Sequence, residues 1–152
     1  MAFLTRANPY KNFRFHVEIS GFDVAGFTAV RGLGQTTEVI NYREGGDNIS
    51  SRKLIGNTEF SPITLERGVS EDIDFYYWAS AVYNVMADVI PEELVKHEVT
   101  IHLMDKTYSV VKSWLALNCW VSEFSSGDLD SMSSGVLMER IVLQNEGIIQ
   151  VP

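Results

Sequence analysis

Apolar and polar residues alternate without a fault along Phe13-Arg14-Phe15-His16-Val17-Glu18-Ile19-Ser20-Gly21. A period of two marks a pleated strand with one wet face, so Phe13, Phe15, Val17 and Ile19 are expected to share the buried side. Phe27 to Leu33 reads as a second, shorter strand interrupted by Arg31-Gly32-Leu33-Gly34. Thr36 to Arg43 and Ser61 to Arg67 read as two paired runs. In the later run Ile63 and Leu65 face one way while Thr64 and Glu66 face the other. Pro62 cannot donate to a ladder and belongs at a strand start or an edge. The stretch between the runs is long, polar and punctuated by glycine. A compact domain rarely keeps such a connection without a use for it. It is read as a long hairpin projecting from a sheet, with a tip that pairs outside its own subunit.

The period then changes. Ser70 offers an N-cap, and Glu71, Asp72 and Asp74 place negative charge where a helix begins. Asp72 to about Ala87 is predicted helical. Ile73, Tyr76, Tyr77, Ala81, Val85 and Met86 form its apolar stripe, widened by Trp78 and Val82. The aromatic members Tyr76, Tyr77, Trp78 and Tyr83 are expected to be mainly core. Pro91 closes the region. Alternation returns at Val99 to Leu103, and Asp105-Lys106-Thr107 is a tight turn into a strand from Tyr108 to Leu117. A meander through Trp120 and Val121 is expected next, then a Ser, Gly and Asp-rich loop from Phe124 to Gly135. Val136 to Leu143 is apolar on both faces, as a strand buried on both sides would be. The fold class is therefore mainly β with one α-helix: an antiparallel barrel or sandwich flanked by the helix, with a protruding hairpin.

At 152 residues the chain is read as a single domain, residues 1–152. A chain of this size buries roughly 70% of its unfolded surface and needs no covalent staples. Twelve basic against 20 acidic residues give a formal charge of −8, which disfavours general affinity for nucleic acid. Cys119 is the lone cysteine, so no internal disulfide forms and no oxidising compartment is implied. Met1 to Asn12 carries Arg6 and Lys11 and no long apolar core, unlike a secretory signal. No apolar run is long enough to span a bilayer, and synthesis in the cytoplasm is expected.

Candidate chemistry is sparse. His97 and His102 are five apart with Glu98 between them, a spacing that suits metal pairs on neither helix nor strand. His16 lies on the polar face of its strand and is read as exposed. Cys119 sits between Asn118 and Trp120 in an apolar run and is read as buried and inert. No Gly-x-Ser-x-Gly elbow occurs, and Gly32-Leu33-Gly34 lacks the third glycine and the helix of a dinucleotide site. Glu71/Asp72 and Glu92/Glu93 are adjacent pairs that diverge in any regular element. No catalytic residue, metal or cofactor is assigned. A barrel enclosing a small ligand remains the alternative to an assembly protein.

Several segments, taken in order, resemble the inner tube proteins of contractile phage tails and contractile injection systems. They are Asn8-Pro9-Tyr10-Lys11-Asn12-Phe13-Arg14-Phe15, Gly32-Leu33, Thr37-Glu38-Val39 and Tyr42-Arg43-Glu44-Gly45-Gly46. They continue with Arg52-Lys53-Leu54-Ile55-Gly56, Ile63-Thr64-Leu65-Glu66-Arg67-Gly68, Trp114, Asn118-Cys119-Trp120, Asp128-Leu129-Asp130 and Glu146-Gly147. Many relatives carry Pro at the positions of Ile55 and Val121, Lys at that of Glu66, and His at that of Asn145. The resemblance implies hexameric rings whose strands close into one lumen-lining β-barrel and which stack into a tube inside a sheath. It implies no enzymatic role. Its partners would be further copies of itself, sheath protein, baseplate or hub, terminator or cap, and tape-measure protein, DNA or effector cargo in the lumen. Assembly into a virion tail or injection particle would follow synthesis in a bacterial cytoplasm.

On that basis the hairpin residues Arg43, Glu44, Gly45, Gly46, Asp47, Arg52, Lys53 and Gly56 are the candidate ring-stacking contacts. The glycines would allow turn conformations closed to other residues, and the charges would set registry. Glu38, Thr64 and Glu66 are the lumen candidates, opposite the expected buried positions Val39, Ile63 and Leu65. Their acidity would ease passage of DNA or acidic cargo. Asp72 and Asp74, at the helix start, are the candidate sheath-facing residues.

Overall fold

The computed structural model describes residues 14–20, 22–43, 45, 51–68, 74–87, 89–127, 131–132 and 137–151, of which 22–26 are described as backbone. Within them the strands are β1 (Arg14–Ile19), β2 (Phe22–Phe27), β3 (Ala29–Arg31), β4 (Gln35–Tyr42), β5 (Arg52–Phe60) and β6 (Ile63–Gly68). The helix α1 (Asp74–Met86) and a 3-10 turn at Glu92–Leu94 follow. The remaining strands are β7 (His97–Met104), β8 (Val110–Ser126), β9 (Met138–Gln144) and β10 (Gly147–Val151).

The main sheet runs β2-β1-β7-β8-β9-β6-β3, antiparallel throughout, with β10 also paired to β8. Its end strands, β2 and β3, are consecutive pieces of chain separated only by Thr28. The sheet therefore rolls back on itself. Thr28 fastens the seam: its N–H and its hydroxyl both donate to the Glu66 carbonyl, at 2.9 and 3.1 Å. Such closure covers the edges that an open sheet would expose. Gly32 follows directly, with φ of +90°, and a Cβ there would lie 2.0 Å from the Pro62 carbonyl oxygen. Only glycine fits both the torsion and the approach.

One strand joins the two halves. The first part of β8 pairs with β7 and β10, and its end pairs with β9. The change falls near Asn118, which holds φ of 50°, a region that asparagine enters more readily than most residues. Asn118 Nδ2 donates to Glu146 Oε2 at 2.8 Å, and the Glu146 N–H donates to the Leu117 carbonyl at 2.9 Å. Lys96 reaches the other Glu146 oxygen at 3.2 Å.

Inside the roll, Val17, Val99, Ile101 and Ala116 meet Ile63, Leu65, Val121, Ile141 and Leu143. Helix α1 covers this core with Phe75 and Trp78. Phe75 packs edge-on against Phe27 at 5.6 Å between ring centroids. Trp78 Nε1 donates to the Val95 carbonyl at 2.6 Å, satisfying the indole as it is buried. Among the described residues Arg67 and Glu139 are buried charges. The guanidinium of Arg67 faces the carboxylate of Glu139: its Nε donates to Glu139 Oε2 at 2.9 Å, and it lies 5.3 Å from the ring centres of both Phe27 and Phe75.

The fold class expected from the pattern is the one found. Several details differ. Thr36 to Arg43 does not pair with Ser61 to Arg67: β4 pairs with β5, which lies inside the stretch read as a polar connection, while β6 pairs with β3 and β9. The expected meander after Leu117 is the continuation of β8, which runs to Ser126 through residues read as loop. Strand β10 was not anticipated. On α1, Tyr76, Tyr77, Tyr83 and Met86 are exposed, and Phe75 takes the core position expected of them. His16 is half-buried, opposite His102 in the β1–β7 register. Ser70, Ile73, Val136, the segment from Asn8 to Phe13 and the run Asp128 to Asp130 lie outside the described residues.

Candidate assembly surface

Strands β4 and β5 form a two-stranded sheet of their own. Its base is closed where the Ser61 N–H donates to the Gly34 carbonyl at 3.0 Å, and it is tied to the body where Asn145 Nδ2 donates to the Ser61 carbonyl at 2.9 Å. Leu33, Gly34, Gln35 and Phe60 there meet Trp114, Ile148 and Gln150 around a shallow cleft. Beyond the base the ribbon stands clear of the core.

Register explains its two faces. Val39 pairs with Ile55, and Ile40 with Leu54. Successive residues point to opposite sides of a strand, so each face carries one apolar cross-strand pair. None is covered: Ile55 is 89% exposed, Val39 58%, Leu54 48% and Ile40 43%. An isolated two-stranded ribbon is marginal in water, and apolar pairs on both sides ask for cover from another molecule. Val39 was expected to be buried within its own chain, and it is not.

A bulge sets the ribbon's shape. Between the pairs Thr37↔Thr58 and Val39↔Ile55, Gly56 and Asn57 together oppose Glu38. A Cβ on Gly56 would lie 2.9 Å from both the Cβ and the carbonyl oxygen of Glu38. Gly56 therefore serves close approach within a strand, rather than the turn geometry expected of it. Gly45 has open space around it and no left-handed torsion. Arg43, Arg52 and Lys53 are exposed toward the tip. Glu44, Gly46 and Asp47 lie outside the described residues.

The lumen candidates fall in two places. Thr64 and Glu66 share one face of β6, opposite the buried Ile63 and Leu65, as expected. Glu38 sits apart, on the hairpin. Glu66 pairs with Arg31 at 2.6 Å, and this partner, with Arg140 nearby, holds its carboxyl below the usual carboxylate range. The face around Glu66 is therefore of mixed charge, not acidic. Asp74 opens α1 and is exposed; Asp72 lies outside the described residues.

The groups weighed for chemistry have separate surroundings. His97 packs against Trp78 at 5.2 Å between rings, and His102 lies between Ser113, 2.7 Å away, and Glu18, 3.3 Å away. Among the described residues no three histidine, cysteine or acidic side chains are grouped to hold a metal. Cys119 is fully buried, and burial pushes its thiol up to about 12, which makes it inert. Among the described residues no helix is long and apolar enough to cross a membrane.

The family described as T4-like virus tail tube protein gp19 matches residues 11–149, and the chain belongs to it. It is thus a structural tube subunit. Solved structures share the fold. A PVC sheath–tube complex of an extracellular contractile injection system, in the extended state, is 22% identical with a TM-score of 0.78, covering 99% of this chain and 97% of that one. The tube-terminating cap of the anti-feeding prophage is 24% identical with a TM-score of 0.77, covering 97% and 94%. Hcp1 from Flavobacterium johnsoniae is more distant, at 11% identity and a TM-score of 0.53, covering 90% and 94%. No curated protein matches the sequence.

Proposed function

We propose that this chain closes in sixes into rings, and that the rings stack into the hollow inner tube of a contractile tail or injection system. The observation that carries the reading is the β4–β5 ribbon, with an uncovered apolar pair on each face. Its tip, from Arg43 through Glu44, Gly45, Gly46 and Asp47 to Arg52 and Lys53, reaches the next ring. Exposed ion pairs there add little strength each and serve registry. Thr64, Glu66 and Glu38 face the lumen, where Arg31 offsets Glu66 and leaves a surface of low net charge for a moving cargo. Asp72 and Asp74 point toward a surrounding sheath.

Sheath–tube, cap and baseplate assemblies are what the structural neighbours come from, which supports a sheath, a terminator and a baseplate as partners here. Tape-measure protein, DNA or effector occupies the channel, and the subunit performs no chemistry. Synthesis in a bacterial cytoplasm precedes assembly. Removing Asp47 to Arg52 tests the reading: rings are expected to persist and long tubes to disappear. Long tubes from the shortened protein would contradict it.

A further inference from the structure

A groove opens between the end of α1, the 3-10 turn and β8. Its volume is about 310 Å³. Val82, Val85 and Met86 of the helix form one wall, and Val95 and Trp120 form the other. Its lip is charged. Glu92 and the exposed Glu93 stand on the 3-10 turn, and Lys96 bridges Glu92 at 3.0 Å and Glu146 at 3.2 Å. One cation among three carboxylates leaves the lip net negative.

The hairpin carries the complementary pattern. On the face that presents Val39 and Ile55, the next pair toward the tip is Asn41 and Lys53. An apolar pair followed by a cation matches an apolar floor behind an acidic lip. The opposite face ends in the bulkier Tyr42 beside Arg52, and its Leu54 is far less exposed than Ile55. The two surfaces also lie apart on the molecule. The hairpin base stands beside Trp114 and the groove beside Trp120, six residues along β8 and across its bend at Asn118. Two different patches at separate positions make a heterologous contact, which builds a ring where the rotation closes and an open stack where it does not.

We infer that the groove at the end of α1 receives the Val39/Ile55 face of the hairpin from a copy in the adjoining ring. The inference rests on the stacking role given to the hairpin and names the surface that receives it.

Ile55→Cys and Met86→Cys in one chain, treated with a short bifunctional thiol reagent, test it. The buried Cys119 stays silent. Linked multimers are expected from assembled tubes, and neither from isolated rings nor from either single variant. Linking within isolated rings would place the contact between neighbours of one ring and overturn the inference. Long, unlinked tubes whose formation still needs Asp47 to Arg52 would overturn the groove alone and leave hairpin stacking standing. Long tubes formed without that segment would overturn both. A charge exchange decides the matter where the cysteine chain assembles poorly. Lys53→Glu is expected to shorten tubes several-fold at low salt, and Glu93→Lys in the same chain to restore their length. Failure to restore would count against the groove.

Discussion

Asn118 and Glu146 hold the bend of β8 together: the amide donates to the carboxylate at 2.8 Å while the Glu146 N–H donates to the Leu117 carbonyl beside it. The asparagine thus supplies both the left-handed torsion and the partner that fixes it. Asn118→Gly keeps the torsion and loses only the amide, whereas Asn118→Ala also incurs about 1–2 kcal/mol of backbone strain. Urea denaturation is expected to rank stability as wild type, then glycine, then alanine.

The same carboxylate gives a pH dependence. The Asn118 hydrogen bond, then Lys96, lower the Glu146 pKa from its ordinary 4.5. Folding therefore favours the ionised form. Its contribution is present above pH 4.5 and is lost as pH falls through the lower, folded value. Wild type and Glu146→Gln are expected to differ in thermal stability at neutral pH and to converge as acid is added. A constant difference across that range would show that the charge is irrelevant.

Arg67 and Glu139 pair inside the core beneath Phe27 and Phe75. Losing one member strands the other's charge in a dry site, which costs about 3–5 kcal/mol. Arg67→Met and Glu139→Leu should each destabilise by that order, and the double variant should recover much of the loss. A double-mutant cycle in denaturant measures the coupling; simple additivity would deny it.

Phe75 and Tyr83 stand two turns apart on α1, one buried and the other exposed. Phe75→Ala is expected to cost about 3–5 kcal/mol. Tyr83→Ala should stay within about 0.5 kcal/mol. Thermal unfolding of both proteins compares them directly.

Gly56→Ala separates folding from assembly. The added methyl meets Glu38 backbone at 2.9 Å and must distort the ribbon, but the ribbon lies outside the core. The melting temperature of unassembled protein should change little while tube length falls. Unaltered tubes would remove the bulge from the assembly surface.

Physical circumstance decided which elements were legible in the sequence. Strands β1, β6 and β7 each have one face on the core, so burial imprints alternation on them, and Val17, Ile63 and Ile101 were placed from sequence. In β5 neither face meets the core, so Arg52 to Phe60 carries no period and reads as connection. β8 changes phase at Asn118. Trp114 and Ala116 face the core before it, and Cys119 and Val121 after it, so the inward positions shift from even to odd. A single bent strand then reads as several. Helical spacing was visible, but two stripes competed, and Phe75 and Trp78 won because Phe27 and Val95 meet them from the body. The presence of a hairpin was legible from the length and glycines of the stretch. The exposed Val39/Ile55 and Ile40/Leu54 pairs required the register.

Mass measurement of purified, concentrated protein, paired with negative-stain imaging, bears most directly on the tube assignment. Six-membered rings, and rods whose length depends on the β4–β5 hairpin, are the expected result. A protein that stays monomeric at every concentration, with its hairpin intact, would contradict it.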